Sequence, residues 1–402
     1  MKSATPKVLH KVRGVPVIQY VLNIAGSIGS QKTYVVLGHK SEAIQDYIGK
    51  DFEVIEQKKL LGTADAVRCV EDQLKSYKGD VVILCGDTPL LRKSTIKALI
   101  RKHKKTTAAC TLLTAVLHDS TGYGRIIRDG SGNLVAIRED ADAVGFERNI
   151  AEINVGVYVF KCQALLGALK AVKANEKKKE FYLTDVIELL VEAGNKIDSI
   201  ETDDKTEGLG VNTRLDLAEA ERILRKRVLT DLMLSGVTIL DPETTYIDAE
   251  AKIGVDTTIY PFTVIESDVR IGTGCSVGPF ARIRPGCRIG NDVEIGNYTE
   301  VSRTKIGNKT IMKHFSFLGD ASVGASVNVG AGAVTANYDG ENKNATRISD
   351  GAFIGSDAIL VAPVKVGKKA VIGAGSVVPK GKTIPENSIA VGAPAKIISK
   401  GK

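Results

Sequence analysis

Ile271-Gly272, Val277-Gly278, Ile283, Ile289-Gly290, Ile295-Gly296 and Val301 place a small aliphatic residue at every sixth position, most often with glycine beside it. After a slip of one the pattern continues at Ile306-Gly307. It returns at Val323-Gly324 and Val329-Gly330, and again at Ile354-Gly355, Val366-Gly367 and Ile372-Gly373. A period of six fits neither the 3.6-residue turn of a helix nor the two-residue alternation of a simple strand. It fits a parallel β-helix, whose coils stack and turn one aliphatic residue per hexad into a shared core. A run of glycine-rich hairpins is the competing architecture, but hairpins have no reason to hold a constant period.

Outward from that stretch, the chain of 402 residues is long for a single core, and the onset of the repeat after residue 250 marks where to divide it. The net charge of +8 is modest and spread out. Its densest clusters, Arg101 to Lys105 and Lys177 to Lys179, lack interleaved aromatics, so they read as solvated faces and not as nucleic-acid grooves. A basic balance also suits anionic, phosphorylated substrates. The six cysteines (Cys69, Cys85, Cys110, Cys162, Cys275 and Cys287) are scattered without metal spacing and read as reduced, buried thiols in a cytosolic protein. The sequence holds no apolar run long enough to cross a bilayer and no signal-peptide core, so membrane insertion is not expected.

Ahead of the repeat, strand and helix alternate. Strands are expected at 33–37, 52–55, 80–85 and 108–116, with helices at 41–48, 63–74 and 94–103 between them. The apolar run Val81-Val82-Ile83-Leu84-Cys85 reads as a strand buried on both faces, and the alternation argues for a mostly parallel sheet. Ligands of such sheets bind beyond the strand ends, which singles out Gly86-Asp87. A carboxylate there can hold a metal on a phosphate, or simply cap a turn. Gly62-Thr63 either accepts a ligand's polar edge or supplies an ordinary N-cap. Thr213 caps a long helix to about Leu234, with Leu217, Ala220, Leu224 and Val228 along one stripe. The resulting division is 1–211 for the front domain, 212–236 for a linker helix and 237–402 for the β-helix.

Several stretches together resemble one family. Pro6-Lys7-Val8-Leu9-His10, Leu61-Gly62-Thr63-Ala64, Cys85 to Leu90, Thr121 to Ile126, Glu152 to Gly156 and Gly210-Val211-Asn212 are similar to the nucleotidyltransferase half of the bifunctional N-acetylglucosamine-1-phosphate uridyltransferase/glucosamine-1-phosphate acetyltransferases. Gly278 to Gly286, Lys313-His314, Leu318 to Ala321, Val327 to Gly332 and Ala336 to Gly340 are similar to the acetyltransferase half. The motifs keep the family's order over nearly the whole chain. The resemblance implies an α/β nucleotidyltransferase domain, Rossmann-like with a mixed sheet, followed by a left-handed parallel β-helix that forms a homotrimer. It also implies two reactions, acetyl transfer from acetyl-CoA to glucosamine 1-phosphate and uridylyl transfer from UTP.

Residue by residue, the resemblance assigns Asp87 and Asn212 to Mg2+ and Lys7 to the phosphates. Gln57, Gly62 and Thr63 go to the uracil, and Gly124, Glu139, Asn154, Tyr182 and Thr184 to the sugar. Phosphoryl transfer needs little beyond positioning and charge neutralisation, which such a set supplies. In the second half His314 would be the general base, a task that suits imidazole. Arg284 and Lys343 would hold the sugar phosphate and Asn328 the sugar, while Ala331, Asn337, Tyr338, Ser356 and Ala374 would line the path of CoA and the acetyl group.

The chain also departs from the pattern. The family opens with a strand and a glycine-rich phosphate loop, and this chain begins at the last residue of that loop, from which little uridyltransferase activity and unpaired sheet edges are expected. A phosphate-binding Lys of the family is Ser302 here, and a Tyr is Phe317. Arg303 follows Ser302, but neighbouring strand residues face opposite ways, so it is not expected to replace that Lys. The stretch Ala390 to Lys396 is closer to general hexapeptide acyltransferases, and the family's last CoA-binding Arg has no match. Besides a bifunctional enzyme, two readings stay open: an N-acetyltransferase with a non-catalytic front domain, and a trimeric scaffold.

Overall fold

A computed structural model of the chain describes residues 1–38 and 41–400. The chain divides into two compact units, Met1–Ile223 and Leu224–Lys402.

In the first unit the sheet is built around the long strand Glu152–Lys161. It runs antiparallel to Cys110–Val116 along one edge, and the parallel neighbour of Cys110–Val116 is Ile197–Glu201. Along its other edge it meets Arg125 near its start and Asp80–Ile83 near its end, again antiparallel. The sheet is therefore mixed, not mostly parallel. Apolar patterning fixes which residues are buried but not strand direction, and here direction follows from the antiparallel pair Arg125–Arg128 and Leu134–Arg138, which returns the chain beside the strand it left.

The strand expected at 80–85 ends at Ile83, and its residues are half-buried, not enclosed on both faces. Among the described residues it pairs only with Glu152–Lys161, so one edge lacks a neighbour. Tyr34–Gly38 and Glu53–Gln57 pair with each other in a separate two-stranded sheet. The helix expected at 63–74 is two pieces, Thr63–Arg68 and Glu71–Leu74, broken where Val70 N–H donates to Val67 O in a tighter turn.

The helix Arg214–Leu234 has the expected start. Thr213 Oγ1 accepts from Asp216 N at 3.1 Å, and the Asp216 carboxylate accepts from Asn212 N and Thr213 N at 2.9 and 2.7 Å. This reciprocal cap satisfies amide donors that a helix start leaves open. Ala220 and Leu224 of the expected stripe are buried, but Leu217 and Val228 are only half-buried and Ile223 and Leu229 take their place.

The second unit is a left-handed parallel β-helix of three sheets, and not a run of hairpins. One column shows the coil length: Ile253 pairs with Ile271 and Ile271 with Ile289, so each coil is three hexads long. The next two coils, Ile289 to Ile306 and Ile306 to Val323, are each one position shorter. The coil from Val323 to Ile348 is the long one, and from Ile348 to Val366 and on to Ile384 the spacing is three hexads again. The aliphatic residue of each hexad points inward, and Ile259, Val277, Ile283 and Ile372 are fully buried.

Many corners turn through a residue in the left-handed region, such as Asp256, Phe262 and Asp268 at φ 60°, 57° and 54°. The glycines that follow the aliphatic residues answer a different need. A Cβ on Gly272 would come within 2.6 Å of Gly290 O, so the coils approach too closely there for a side chain. All six cysteines are free thiols; Cys110, Cys162, Cys275 and Cys287 are buried as expected, whereas Cys69 and Cys85 are only half-buried. Among the described residues no helix is long and apolar enough to cross a membrane.

Candidate active sites

Three residues far apart in sequence converge in the first unit. Lys7 Nζ donates to Asp87 Oδ2 at 2.6 Å and to Asn212 Oδ1 at 2.8 Å. The backbone fixes this meeting, because Val211 N–H donates to Asp87 O at 2.9 Å. Two oxygen donors thus face one ammonium, a donor set of the kind hard cations prefer. Among the described residues no group of three His, Cys, Asp or Glu side chains forms a self-sufficient metal cage. A cation here would complete its shell with water and phosphate oxygens. A cavity of about 450 Å³ opens beside it, lined by residues 1–7 with Gly38, Ser41 and Ile44.

The residues assigned to the nucleobase are knitted to one another. Gln57 is buried, and its Nε2 donates to Gly62 O at 3.1 Å and to Asp65 Oδ2 at 2.8 Å. Gly62, at φ 105°, is the N-cap of the helix, and a Cβ on it would stand 2.5 Å from Phe181 O. Its backbone is therefore packed against Phe181 instead of open to a ligand on that side. Thr63 is not the cap; its hydroxyl accepts from Leu183 N at 2.9 Å.

The sugar set gathers at the neighbouring strand ends. Thr184 Oγ1 donates to Glu139 Oε1 at 2.7 Å, and Asn154 N–H donates to Gly124 O at 2.8 Å. The Asn154 side chain is engaged with Tyr158 OH and Gly156 N. Tyr182 is buried with its hydroxyl unpartnered, and burial beside Glu180 and Glu139 pushes that hydroxyl's pKa up to about 12. A buried phenol without a partner is costly unless something completes it. Burial and the nearby Glu139 raise Asp185 to about 6.

In the second unit most candidate residues fall on two corners, while Asn328 lies in the strand Asn328–Val329. Ile311, Asn328, Phe353 and Val371 pair in successive coils. His314, Ala331, Ser356 and Ala374 each follow one of these by three residues, so they form a single column along one corner. His314 is exposed, and its carbonyl accepts from Thr299 Oγ1 at 3.1 Å and Ser316 Oγ at 2.9 Å, which pins the backbone that presents the imidazole. Beside this column runs a stack of exposed rings: Phe262, Phe280 and Tyr298 have centroids 4.8 and 5.0 Å apart, and Phe315 follows in the next coil.

The second corner carries the residues that lengthen the coil between Val323 and Ile348. Asn337 donates to Asp320 Oδ2, and Tyr338 and Lys343 form an isolated bridge. Asp339 organises the loop: its Oδ1 accepts from Asn342 N at 2.8 Å, and its Oδ2 from Asn344 Nδ2 at 2.9 Å and Lys380 Nζ at 3.0 Å. Arg284 Nη1 donates to Glu300 Oε1 at 2.9 Å, while its Nε is buried and unpartnered.

Arg303 does not obey the strand alternation expected of it. The strand is Thr299–Ser302, and Arg303 lies past its end at φ 48°, so strand alternation does not govern its side chain. Its Nη1 reaches back to Ser302 Oγ at 2.8 Å, and its Nε and Nη2 clasp Asp320 at 2.5 and 2.8 Å. The guanidinium thus covers the spot above the buried Ser302. Arg303, Asn337 and Lys343 together hold the Asp320 carboxyl below its usual range. Sequence reading gave Asp320 and Asp339 no role, although Asp-Gly-x-Asn at residues 339–342 is a recognisable Asx-turn pattern.

Comparison with known proteins agrees with this architecture. A profile for nucleotidyl transferases matches residues 2–212, and one for bacterial transferase hexapeptides (six repeats) matches residues 250–285 and 345–380. A solved structure of apo UDP-glucose pyrophosphorylase is similar at 15% identity over 55% of this chain and 91% of its own, with a TM-score of 0.47. The fold and sites define a two-part transferase, nucleotidyltransferase in front and hexapeptide acyltransferase behind. The bifunctional protein GlmU of Acetivibrio thermocellus is 40% identical over 97% of this chain and 92% of its own length. That of Thermosipho africanus is 41% identical over 100% and 93%. The chain belongs to the GlmU family of bifunctional transferases.

Proposed function

We propose that the chain makes UDP-N-acetylglucosamine in two steps, in the cytoplasm, as a homotrimer assembled through the β-helix. The convergence of Lys7, Asp87 and Asn212 carries the reading of the first unit, because an idle domain has no use for a cation and two oxygen donors held so closely. Mg2+ would be held by Asp87 and Asn212, and when bound it neutralises charge on the phosphates of UTP. Lys7 would then be released from the two oxygens to meet the phosphates. A phosphate oxygen of N-acetylglucosamine 1-phosphate attacks the α-phosphorus of UTP, and pyrophosphate leaves. Glu139, Thr184 and the unpartnered Tyr182 hydroxyl would orient the sugar, and Gln57 with Gly62-Thr63 would meet the uracil.

In the second unit His314 would take a proton from the amine of glucosamine 1-phosphate. The nitrogen then attacks the thioester carbonyl of acetyl-CoA, the carbon–sulfur bond breaks, and CoA leaves with a proton. Arg284, with its open Nε, and Lys343 would hold the phosphate, and Asn328 the sugar. The corner column Ala331, Ser356 and Ala374, with Asn337 and Tyr338, would receive CoA. The exposed rings Phe262, Phe280, Tyr298 and Phe315 support assembly of copies through their corner.

Purified chain should acetylate glucosamine 1-phosphate and should bind UTP in a Mg2+-dependent way by calorimetry. His314→Ala should remove the first property and spare the second. Equal acetylation by His314→Ala and the parent would sink the assignment.

A further inference from the structure

The three faces of the β-helix differ in charge far more than the fold requires. One face turns Thr258, Ser276, Glu294, Ile311, Asn328 and Phe353 outward, with a single charge among them. A second turns out Val264, Arg282, Glu300, Phe317, Val334 and Ile359, and its charges are paired, Arg282 with Glu266 and Glu300 with Arg284. The third turns out Lys252, Arg270, Arg288 and Lys305, then Ser322, then Arg347 and Lys365. These residues pair directly in successive coils, so the cations stand in single file over about 29 Å, about 4.8 Å apart except where Ser322 doubles the gap.

Only Arg288 in this file has an acid, Asp268 at 2.5 Å; the other five make no ion pair among the described residues. Like charges directly opposite across a parallel pair are destabilising, so the array holds an unmet demand for anions. At its far end Arg347, Lys365 and Lys382 line a groove of about 330 Å³ with Pro363 and Gly381.

We propose that this face is a docking track for a linear phosphate-linked polyanion that lacks aromatic bases and lies along the β-helix axis. The file is one cation wide, which matches a thread and not the plane of a lipid surface. No outward residue of the face is apolar or aromatic, so it offers neither insertion into a bilayer nor a platform for stacked bases. Arg270, Arg288 and Arg347 supply forks that suit phosphate oxygens, and the lysines supply point charges between them. A second copy of this chain would bring the same sign of charge to the face.

Calorimetric titration of the full chain with inorganic polyphosphate tests the idea. Polyphosphate longer than the track should bind, tripolyphosphate should not, and affinity should fall steeply with salt. Arg270→Glu with Arg347→Glu should weaken binding about tenfold or more and reduce the salt slope by about two. Lys104→Glu with Lys105→Glu, exposed cations of the first unit, should leave it unchanged. Should the reversed pair melt below the parent, Arg270→Gln with Arg347→Gln serves for the same comparison. Equal affinity of parent and track variant would overturn the proposal. So would tighter binding of a single-stranded oligonucleotide or of phosphatidylglycerol vesicles, or a change of oligomeric state in the track variant.

Discussion

Arg303 and its neighbour Ser302 are in direct contact. Ser302 is buried and short, and the guanidinium of Arg303 bends back over it while clasping Asp320. The guanidinium thus lies against Ser302 with its charge paired to Asp320, and whether it also meets a phosphate is a matter for kinetics. We expect Arg303→Met to raise KM for glucosamine 1-phosphate about tenfold with little change in kcat, as loss of a charged phosphate contact of about 1.5 kcal/mol requires. An unchanged KM in steady-state kinetics would show that Arg303 serves Asp320 alone. Asp185 gives a second test. Its folded pKa of about 6 lies above the ordinary 3.8, so the folded state binds the extra proton and stability falls as pH rises from about 4 to 6. Asp185→Asn should therefore melt higher than the parent at pH 8, by about 1 kcal/mol once solvent screening is allowed for, and equally at pH 3.5. The identities of these residues were legible in the chain. The turn of Arg303 into the left-handed region was not, because nothing in Ser302-Arg303-Thr304 marks the end of the strand.

At the scale of the element, one hexad supports the candidate base. A Cβ on Gly296 would come within 1.8 Å of Lys313 O, the backbone that leads into His314. Gly296→Ala should cost about 1–3 kcal/mol in stability, as overpacking does, and should depress acetyl transfer beyond what the lost stability explains. Circular dichroism melting alongside a rate assay separates the two effects. The corner loop rests on Asp339, whose carboxylate gathers Asn342, Asn344 and Lys380. Asp339→Ala should raise KM for acetyl-CoA while leaving the melting temperature within a few degrees. The beat of the regular coils was legible in the aliphatic positions, since each must return one to the core, whereas the coils that drop a position and the one lengthened by a loop interrupt it. Strand direction in the first unit was not legible, because burial on a pleated surface is the same for either polarity.

For the whole molecule, the division into Met1–Ile223 and Leu224–Lys402 separates the two sets of candidate residues completely. Asp87→Asn should abolish Mg2+-dependent UTP binding and leave acetyl transfer intact, the mirror image of His314→Ala. Loss of both functions in either variant would argue against independent sites. The long coil between Val323 and Ile348 has a broader meaning. Because the other coils return to register after three hexads, or one position less, a shaft of this kind can gain or lose length only by whole turns. A corner is exempt from that rule, as the loop at residues 337–345 demonstrates. Descendants of such a shaft can therefore acquire new specificities by lengthening one corner at a time, with the interior inherited unchanged.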